Sequence, residues 1–484
     1  MRGIRLLYRW ILHFQFAFSI FAQSCRQAHA INHDAEFYVS IQRNYMIRRL
    51  LFLVVLFSAF STSLPAQVSA SLSPKPGEKL RFVVYLSRHG VRSPTGNAAQ
   101  YNQYSVAPWP RWSVPPGYLT AHGYQLMQIF GAWDRQQLSG EGLLSETGCE
   151  DAARVTIYAD SDQRTRETGK ALAAGLFPGC APTVKGLPEG MHDVLYHPLG
   201  THHGALDPAL AVAAIAGRIG GDPNNPTEAY RAQLAELDRI LGHCGNDVAS
   251  ADKQQAQAAN RQSVLDIPAR LASVSQDHLA ELRGPLSTAS TLTENLLLEY
   301  TEGMDATNVG WGCVNGANLR NLIDLHTAAS EFSQRPQPIA RAQASNLLHQ
   351  ILLSLSQAAT GKPRPGAIGR VNDRALFLIG HDTNIASIAG LLDLHWIADG
   401  RRDDTPPGGA LVFELWQTAT GDDSVHVYYT TQTLEQMRSA TVLSKENPPV
   451  RVPVFIPSCS RADFSCSLLD FERTLRTSTP ETNP

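Results

Sequence analysis

The sequence predicts an α/β fold, a mostly parallel sheet with helices on both faces, into which a smaller α-helical domain is inserted. The first observation is a pattern that occurs three times: a short apolar run leads into a polar cluster and then into helical sequence. The runs are LRFVVYLS at 80–87, Val155–Ala159 and Ala375–Ile379. Continuous apolar runs that alternate with helical segments indicate parallel strands covered on both faces.

The second observation is the chemistry of the clusters that follow these runs. They read RHGVRSPT at 88–95, DSDQRTR at 160–166 and GHDTN at 380–384. Ligands of parallel sheets bind outside the carboxyl ends of the strands. We therefore expect the three clusters to meet at one edge of the sheet.

The third observation is a change in sequence pattern between residues 205 and 343, where the alternation of β-branched residues is nearly absent. In the first helical stretch Asn225 is the expected N-cap, Pro226 the first residue and Glu228 the residue that closes a capping box. Residues 205–343 are therefore predicted to form the inserted α-helical domain. Its predicted helices are 225–241, 265–275, 290–302 and 319–332.

The α/β domain is consequently predicted to be discontinuous, at residues 76–204 and 344–473, with a polar tail at 474–484. Residues 405–416 and 424–432 alternate apolar with polar side chains on either side of the turn-like TATGDD. This alternation predicts an antiparallel hairpin added to the sheet.

Residues 1–70 are interpreted as a signal or extension segment outside the fold. A basic start at 46–49 leads into an apolar stretch at 50–60 and then into small residues that end at Ala70. This order is typical of a secretory signal peptide at 46–70, and the apolar stretch is shorter than the roughly 20 residues that a bilayer requires. We expect a periplasmic or secreted protein without stable membrane insertion. The alternative is an N-terminal anchor that includes the apolar patch at 14–21.

The net charge and the cysteine content give no indication of a nucleic-acid-binding or zinc-binding protein, and the cysteines favour disulfides. The 484 residues carry 41 Lys and Arg against 44 Asp and Glu, so a net charge of −3 gives no reason to expect a nucleic-acid partner. Of seven cysteines, Cys25 lies in the discarded segment and an even set of six remains, whose pairing the residues leave open. Such a set favours disulfides in an oxidising compartment. The sequence contains no repeated CxxC motif, so a structural zinc site is not expected.

The three clusters together predict a phosphate site. They bring Arg88, Arg92 and Arg164 to one sheet edge, and guanidinium groups match the geometry of a phosphate and stay charged. His89 lies between arginines that lower its pKa, which leaves a neutral imidazole able to attack phosphorus. His381 completes the cationic set. Because neither a P-loop nor a metal-ligand cluster is visible, we expect neither a metal nor another cofactor.

Asp382 is the predicted proton donor. It directly follows His381 and is the only carboxyl group of the clusters with no evident arginine partner in the sequence. A leaving alkoxide needs a proton, so a protonated Asp382 would act as general acid and tie activity to acidic pH.

Each of these signals has a simpler alternative. RHG alone fits a helix cap with a surface salt bridge about as well as a site. Arg164 and Arg166 could be exposed helix residues, which is the preferred interpretation for Arg166, and Glu294 could equally lie on a solvated helix face. A non-catalytic phosphate-binding protein would dispense with His89 or Asp382, and both are present.

The clusters resemble the signatures of the histidine acid phosphatases, branch 2 of the histidine phosphatase superfamily. RHGVRSPT is similar to the N-terminal RHGxRxP signature and GHDTN to the C-terminal HD motif, and the likeness is strongest to the bacterial periplasmic phytases and acid phosphatases. A phosphoglycerate-mutase-like enzyme of the wider superfamily conflicts with export and with the HD motif. Supporting stretches across residues 79–470 include LTENLLLEYTEGM, DDTPPGGALVFELW and TLEQMRSAT.

The resemblance implies a secreted acid phosphatase that hydrolyses small phosphomonoesters through a phosphohistidine. It implies His89 as nucleophile, Asp382 as proton donor, no cofactor and a monomeric chain. It implies phosphate binding by Arg88, Arg92, Arg164 and His381, with Thr95, Asp160, Glu294 and Thr383 near the substrate.

Two departures from the family pattern concern the substrate. Enterobacterial phytases carry a basic residue directly after the N-terminal signature, where this chain has Gly96, and a second basic position corresponds to Gln343. Fewer cations should weaken the binding of phytate, which carries many phosphates. General phosphomonoesterase activity is the main expectation, with phytate as a candidate substrate, and a sugar-phosphate phosphatase similar to the glucose-1-phosphatases is the alternative.

The resemblance also implies the disulfides. Cys149 with Cys180 and Cys459 with Cys466 match family bridges. Cys244 matches a bridged position whose usual nearby partner is missing here, which leaves Cys313 as its expected partner.

Overall fold

The computed structural model describes residues 77–180, 182–199, 201, 204–242, 244, 261–273 and 279–478. The predicted signal or extension segment at 1–70, with its signal peptide at 46–70, lies outside the described residues. So do residues 479–484 of the predicted tail.

The described chain alternates between strands and helices. The strands are β1 (Lys79–Arg88), β2 (Val155–Ala159), β3 (Val184–Lys185), β4 (Arg270–Ser273), β5 (Ala280–Arg283), β6 (Ala375–Gly380), β7 (Ile397–Ala398), β8 (Arg401–Arg402), β9 (Ala410–Gln417), β10 (Asp423–Thr431), β11 (Val450–Val454) and β12 (Cys466–Ser467). The helices are α1 (Ala98–Asn102), α2 (Ala121–Gly140), α3 (Gln163–Leu176), α4 (Pro208–Arg218), α5 (Asn225–Ala229), α6 (Arg231–Leu241), α7 (Pro285–Thr301), α8 (Gly316–Leu322), α9 (Asp324–Ser333), α10 (Gln337–Thr360), α11 (Asp382–Leu392), α12 (Leu434–Arg438) and α13 (Leu468–Ser478).

The central sheet has the strand order β11-β10-β9-β1-β6-β2-β3, and β12 also pairs with β10. Strands β1, β6, β2 and β3 are parallel, with Val83 opposite Ala375 and Val155 opposite the same residue from the other side. Strand β9 joins β1 in antiparallel register, and β10 pairs with β9 as the predicted hairpin. The mixed α/β class, the parallel core and the hairpin are confirmed.

Both faces of the sheet are covered, as the continuous apolar runs predict. On one face Phe82, Val84 and Leu86 of β1 share a core with α10, α11 and α13. On the other face Val83 and Tyr85 pack with α2 and α3. The alternation of β1 therefore buries successive side chains in two separate cores.

The segment between β3 and β6 is mainly helical. It has one small core of its own, and its larger core is shared with Val91, Leu126 and Met437 from outside the segment. The predicted helix at 225–241 is divided at Tyr230 into α5 and α6, and Glu228 contacts Arg231 instead of closing a capping box. Helix α10 begins at Gln337 and passes through the predicted boundary between residues 343 and 344 without a break.

The predicted helix at 265–275 is wrong. A short 3₁₀ turn at Val264–Asp266 is followed by β4, which pairs with β5 in a small antiparallel sheet. Pro268 lacks a backbone N–H and disfavours helical geometry in the residue before it. Strand geometry from Arg270 onward satisfies the backbone through the partner strand instead.

The predicted polar tail begins too early. Helix α13 extends from Leu468 to Ser478. Phe471 and Leu475, four residues apart on one face of this helix, are both buried. Residues 474–478 therefore belong to the packed fold.

The cysteines pair in the three expected combinations. The Cα–Cα distances are 5.4 Å for Cys149–Cys180, 6.1 Å for Cys244–Cys313 and 5.3 Å for Cys459–Cys466. Every helix within the described part of the chain is too short or too polar to cross a membrane.

Candidate active site

The end of β1 is fixed by its neighbours on both sides. The N–H of His89 donates to the carbonyl of Gly380 at 3.0 Å, and the N–H of Gly408 donates to the carbonyl of His89 at 3.0 Å. Glycine at position 90 permits close packing, because a Cβ there would lie 2.8 Å from the side chain of Met127 and 3.1 Å from the carbonyl oxygen of Gly123. The backbone therefore sets the position of His89 before any side chain contributes.

Arg88 is fully buried at the end of β1. Its Nη1 donates to the carbonyl of Thr405 at 2.6 Å, while its Nη2 contacts Glu294 and lies 3.2 Å from Oδ2 of Asp382. Burial disfavours its charge, but Asp382 and Glu294 outweigh burial and raise the pKa of Arg88. This guanidinium is charged at every pH at which the protein is folded.

Arg92 and Arg164 supply two further guanidinium groups. Nη2 of Arg92 lies 3.7 Å from Oε1 of Glu294, and burial lowers the pKa of Arg92 to about 10. Nη2 of Arg164 lies 2.5 Å from Oδ2 of Asp162 and 3.4 Å from Nδ1 of His381. All three arginines therefore carry their charge at acidic and neutral pH.

The same three arginines share an unusual feature. Their Nε atoms are buried and have no hydrogen-bond partner in the described residues. Buried donors are nearly always paired in folded proteins, so such groups require an explanation. Three unpaired guanidinium donors near one histidine fit an anion with several oxygen acceptors, which is the chemistry of phosphate.

The tautomer of His89 follows from its surroundings. Nδ1 lies 2.9 Å from the carbonyl oxygen of Gly90, which can only accept, so Nδ1 carries the proton and Nε2 keeps its lone pair. Burial and the charges of Arg164 and Arg88 hold the pKa of His89 well below its ordinary value. The ring is neutral and can act as a nucleophile through Nε2.

The second histidine is oriented by a carboxylate. Oδ2 of the fully buried Asp160 lies 2.6 Å from Nε2 of His381 and 2.8 Å from Nε2 of His197. Burial alone would raise the pKa of Asp160, but the hydrogen bonds from His197 and His381 lower it below its usual range. Because Nε2 of His381 donates to Asp160, its Nδ1 faces Arg164 as an acceptor.

Asp160, His197 and His381 are also the residues that could hold a metal ion. One ligand atom from each lies within 4.8 Å of the others. Hydrogen bonding among the three already accounts for this geometry, because Asp160 accepts from both imidazoles. Arg164 beside His381 adds a positive charge, which disfavours a cation.

Asp382 begins helix α11, whose start is fixed by a hydrogen bond of 2.9 Å from the N–H of His381 to Oδ1 of Asn384. The expectation that Asp382 lacks an arginine partner is wrong, since Arg88 lies 3.2 Å away. The two residues are distant in sequence and meet only because β1 and β6 are adjacent. Burial opposes the ionised form, but Arg88 and His326 hold the pKa of Asp382 well below its ordinary value.

The helical segment contributes two charged groups to the site. Glu294 on α7 is buried between Arg88 and Arg92, so the interpretation as a solvated helix residue is wrong. His326 on α9 lies 3.7 Å from Asp382 and 4.0 Å from Glu294. No motif surrounds His326 in the sequence, and only the packing of α9 against α7 and α11 reveals it.

The remaining predicted residues lie at the rim. Thr95 and Thr383 are exposed. A Cβ at Gly117 would contact both Thr95, at 3.6 Å, and Arg164, at 3.7 Å, which places Thr95 near the arginines. Arg166 donates to the carbonyl of Leu187 at 2.6 Å and serves the fold.

Two clefts flank these residues. The larger, about 930 Å³, runs along α7 and the β4–β5 hairpin and includes Ser290. The smaller, about 380 Å³, includes His197 and Thr383. Gln343 lines both, and its Oε1 accepts a hydrogen bond of 2.7 Å from Ser387. At Gly96 the N–H donates to the hydroxyl of Tyr101 at 2.8 Å.

The fold and this site define a phosphomonoester hydrolase, and comparison with known proteins agrees. The family model of the histidine phosphatase superfamily (branch 2) matches residues 79–430. The chain is 37% identical to phytase AppA of Escherichia coli over 408 residues, which cover 83% of this chain and 93% of that protein. It is 29% identical to glucose-1-phosphatase of Providencia rettgeri over 420 residues, 85% of this chain and 94% of that protein.

A solved structure shows the same likeness. The Hafnia alvei phytase in complex with myo-inositol hexakis sulphate superposes with a TM-score of 0.73 at 33% identity, over 84% of this chain and 98% of that one. The chain belongs to branch 2 of the histidine phosphatase superfamily and is a histidine acid phosphatase.

Proposed function

We propose that this acid phosphatase hydrolyses phosphomonoesters through a covalent phosphohistidine at His89. The observation that carries the proposal is the free lone pair of Nε2 among three guanidinium groups. Nε2 attacks phosphorus while the bond from phosphorus to the ester oxygen breaks. Arg88, Arg92 and Arg164 meet the negative charge of the transferring group, which is the main requirement of phosphoryl transfer.

Asp382 serves both halves of the reaction. Its proton goes to the departing ester oxygen, and in the second half its carboxylate accepts a proton from the water that attacks the phosphohistidine. In the free protein Arg88 stabilises the ionised carboxylate. A bound phosphate dianion shares the charge of Arg88 and disfavours a second anion beside it, which raises the pKa of Asp382. Activity therefore needs a neutral His89 and a protonated donor, so we expect a bell-shaped profile with its maximum below about pH 7.

Replacement of His89 tests the proposal. His89→Ala should abolish turnover and the acid-labile label that a radioactive phosphoryl substrate leaves on the protein. His349, exposed on α10 away from the arginines, provides the matched control as His349→Ala. Retention of the label in His89→Ala would assign the nucleophile to another residue.

For the substrate, we propose activity on both sugar phosphates and phytate, with weak binding of the additional phosphates of phytate. Among the described residues that line the two clefts, the arginines are Arg270 and Arg283, and Arg283 pairs with Glu281 at 2.6 Å. Similarity to a glucose-1-phosphatase and to a phytase supports both substrates. Purified protein assayed with glucose 1-phosphate, phytate and p-nitrophenyl phosphate tests this. A KM for phytate far below that for glucose 1-phosphate would contradict it.

We also propose that the protein is exported and works as a monomer. The three disulfides support export, because such bridges persist in oxidising compartments. N-terminal sequencing of the protein recovered outside the cytoplasm should begin just after Ala70. A mature protein that retains residues 46–70 would contradict signal cleavage.

A further inference from the structure

His326 occupies a position that the reaction described above does not use. Its side chain is 14% exposed, and its Nδ1 lies 3.0 Å from the hydroxyl oxygen of Ser290. On the opposite side of the ring, Nε2 is buried without a hydrogen-bond partner among the described residues. This nitrogen lies 3.7 Å from Oδ2 of Asp382 and 4.0 Å from Oε2 of Glu294. The imidazole thus bridges the inserted helices and the predicted proton donor.

The charges around the ring favour its protonated form. The charged groups that face it are Glu294 from α7, Asp382 from α11 and Arg88 from β1. Burial disfavours the imidazolium, but the two carboxylates outweigh burial and Arg88, and they raise the pKa of His326. At acidic pH His326 therefore holds a proton on a nitrogen that lies 3.7 Å from Oδ2 of the predicted proton donor, Asp382. This separation has to shorten to hydrogen-bond distance, as contacts of ligand-free active sites often do when substrate binds, before the proton can move.

We propose that His326 supplies the proton that Asp382 delivers to the leaving group. The proton moves from Nε2 of His326 to Oδ2 of Asp382, and from there to the ester oxygen as its bond to phosphorus breaks. In the second half, Asp382 takes a proton from the attacking water and returns it to Nε2, so the pair ends each cycle with the proton it began with. His326 acts through Asp382 and touches no reacting atom.

This arrangement resolves a conflict within the site. Beside Arg88 and before phosphate binds, an isolated carboxyl group would be protonated only in strongly acidic solution. Two interacting groups titrate as a pair, and the pair keeps its shared proton up to the pH at which the imidazole loses its own. The inference rests on the proposed role of Asp382, and it predicts that the alkaline limb of the kcat profile reports the His326–Asp382 pair.

The test is His326→Gln, which keeps an amide donor near Asp382 but carries no titrating proton. The kcat for glucose 1-phosphate at pH 6 should fall about tenfold or more, the lower end of what proton transfer contributes. Its alkaline limb should move about 1 pH unit or more toward acid, because a lone carboxyl group then titrates. KM should stay within about twofold, since the arginines are unchanged, and p-nitrophenyl phosphate, whose leaving group needs no proton, should lose much less.

Controls separate the relay from a structural role. Ser290→Ala removes the contact at Nδ1 but leaves the proton, so its alkaline limb should stay at the wild-type pH. His326→Asn provides a second variant should the glutamine variant fold poorly. An unshifted alkaline limb, or equal loss with both substrates, would overturn the relay.

Asp382→Asn distinguishes this failure from failure of the proposed function. If Asp382→Asn loses activity mainly with glucose 1-phosphate while His326→Gln does not, only the relay is wrong. If Asp382→Asn loses equally with both substrates, the donor role itself is wrong and the relay fails with it.

Discussion

The edge of the central sheet and the inserted helices contribute to one site by different physical means. At the sheet edge, ladder hydrogen bonds between adjacent strands fix His89, and a helix start fixes His381 and Asp382. The helices α7 and α9 instead deliver Glu294 and His326 through side-chain contacts with those residues. The backbone of the sheet edge is therefore held by neighbouring strands, whereas the side chains of Arg88 and Arg92 also contact Glu294 and so depend on how the helices pack against the sheet.

Because the two regions are held in different ways, we expect them to contribute differently to the reaction. In the proposed mechanism, residues at the sheet edge bind and attack the phosphoryl group, which requires atoms held in fixed positions. Glu294 and His326 from the helices place charged groups beside Arg88 and Asp382, and we propose that His326 supplies protons; other residues of the helical segment line the larger cleft. Substitutions at the sheet edge should therefore cause the largest losses of kcat, whereas substitutions in the helices should cause smaller losses of kcat and should change pH dependence, stability and substrate range.

After the complete loss expected for His89→Ala, the largest effect is expected for Asp382→Asn at the sheet edge. The amide cannot donate a carboxyl proton, so kcat for glucose 1-phosphate should fall by about 10² to 10⁴-fold. The kcat for p-nitrophenyl phosphate should fall far less, and KM should change little because the arginines remain. Steady-state kinetics with both substrates measures the contrast. Parallel losses would mean that Asp382 merely positions His381.

The next effect compares two arginines on the same helix, α3. Arg164→Ala removes a donor beside His381 and should lower kcat by about 10² to 10³-fold, the cost of losing one transition-state donor. Arg166→Ala removes only a bond to the Leu187 carbonyl and should affect thermal stability more than turnover. Comparable losses of kcat in both variants would show that either substitution disturbs α3 as a whole and that Arg164 has no separate role in turnover.

A third effect concerns a buried carboxyl group of the helical segment that lies outside the site. Glu299 on α7 accepts a hydrogen bond of 3.0 Å from the N–H of Gly310, and burial raises its pKa to about 8. Glu294, on the same helix but beside two arginines, has a lowered pKa. Position relative to the sheet edge, and not the helix itself, decides the charge of each residue.

The sign of the resulting pH dependence follows from the raised pKa. The stability provided by the neutral Glu299 is fully present below the unfolded pKa of about 4.3 and is lost as pH rises through about 8. Between pH 5 and pH 8 the wild-type protein should lose on the order of a few kcal/mol that Glu299→Gln does not lose. Thermal melts of both proteins across this range measure it. Parallel melting curves would show that Glu299 is ionised throughout.

The smallest effect concerns the clefts. Gln343→Arg should add a cation where both clefts meet, and the KM for phytate should fall about fivefold, the equivalent of one partly exposed ion pair. The KM for glucose 1-phosphate should stay the same. Ser387→Ala, which removes only the partner of Gln343, is the control. A matching decrease for both substrates would indicate a general electrostatic effect.

The sequence predicted the sheet edge better than the helices for a physical reason. Strands β1, β2 and β6 are mostly apolar because both faces of the sheet are buried, and each cluster lies at the end of its strand or directly after it. At the sheet edge, the local sequence pattern is therefore enough to predict where the polar clusters lie in the fold. The contact of Arg88 with Asp382 could not be read from sequence, because it depends on which strands are neighbours.

In the helical segment, the local sequence pattern does not predict where a residue lies in the fold. The β4–β5 hairpin forms from residues with little strand pattern because pairing with each other satisfies their backbones. His326 lies on a helix without any motif, and its surroundings come from three other elements. A histidine of this kind becomes recognisable only when the packing of the helices is known.

The position of β1 between two strands from the C-terminal part of the chain affects when, during synthesis, the active site can form. Its neighbours β6 and β9 are encoded roughly 300 residues later, so the first strand remains unpaired through most of synthesis, a topology associated with slow folding. The Cys149–Cys180 bridge closes a short loop and can form while the rest of the chain is still emerging. A chain that stops before Ala375 contains RHGVRSPT but lacks the strand that holds His89 and the helix that begins with Asp382. Phosphatase activity is therefore expected to appear only after the part of the chain that begins at Ala375, roughly its last quarter, has been delivered and folded.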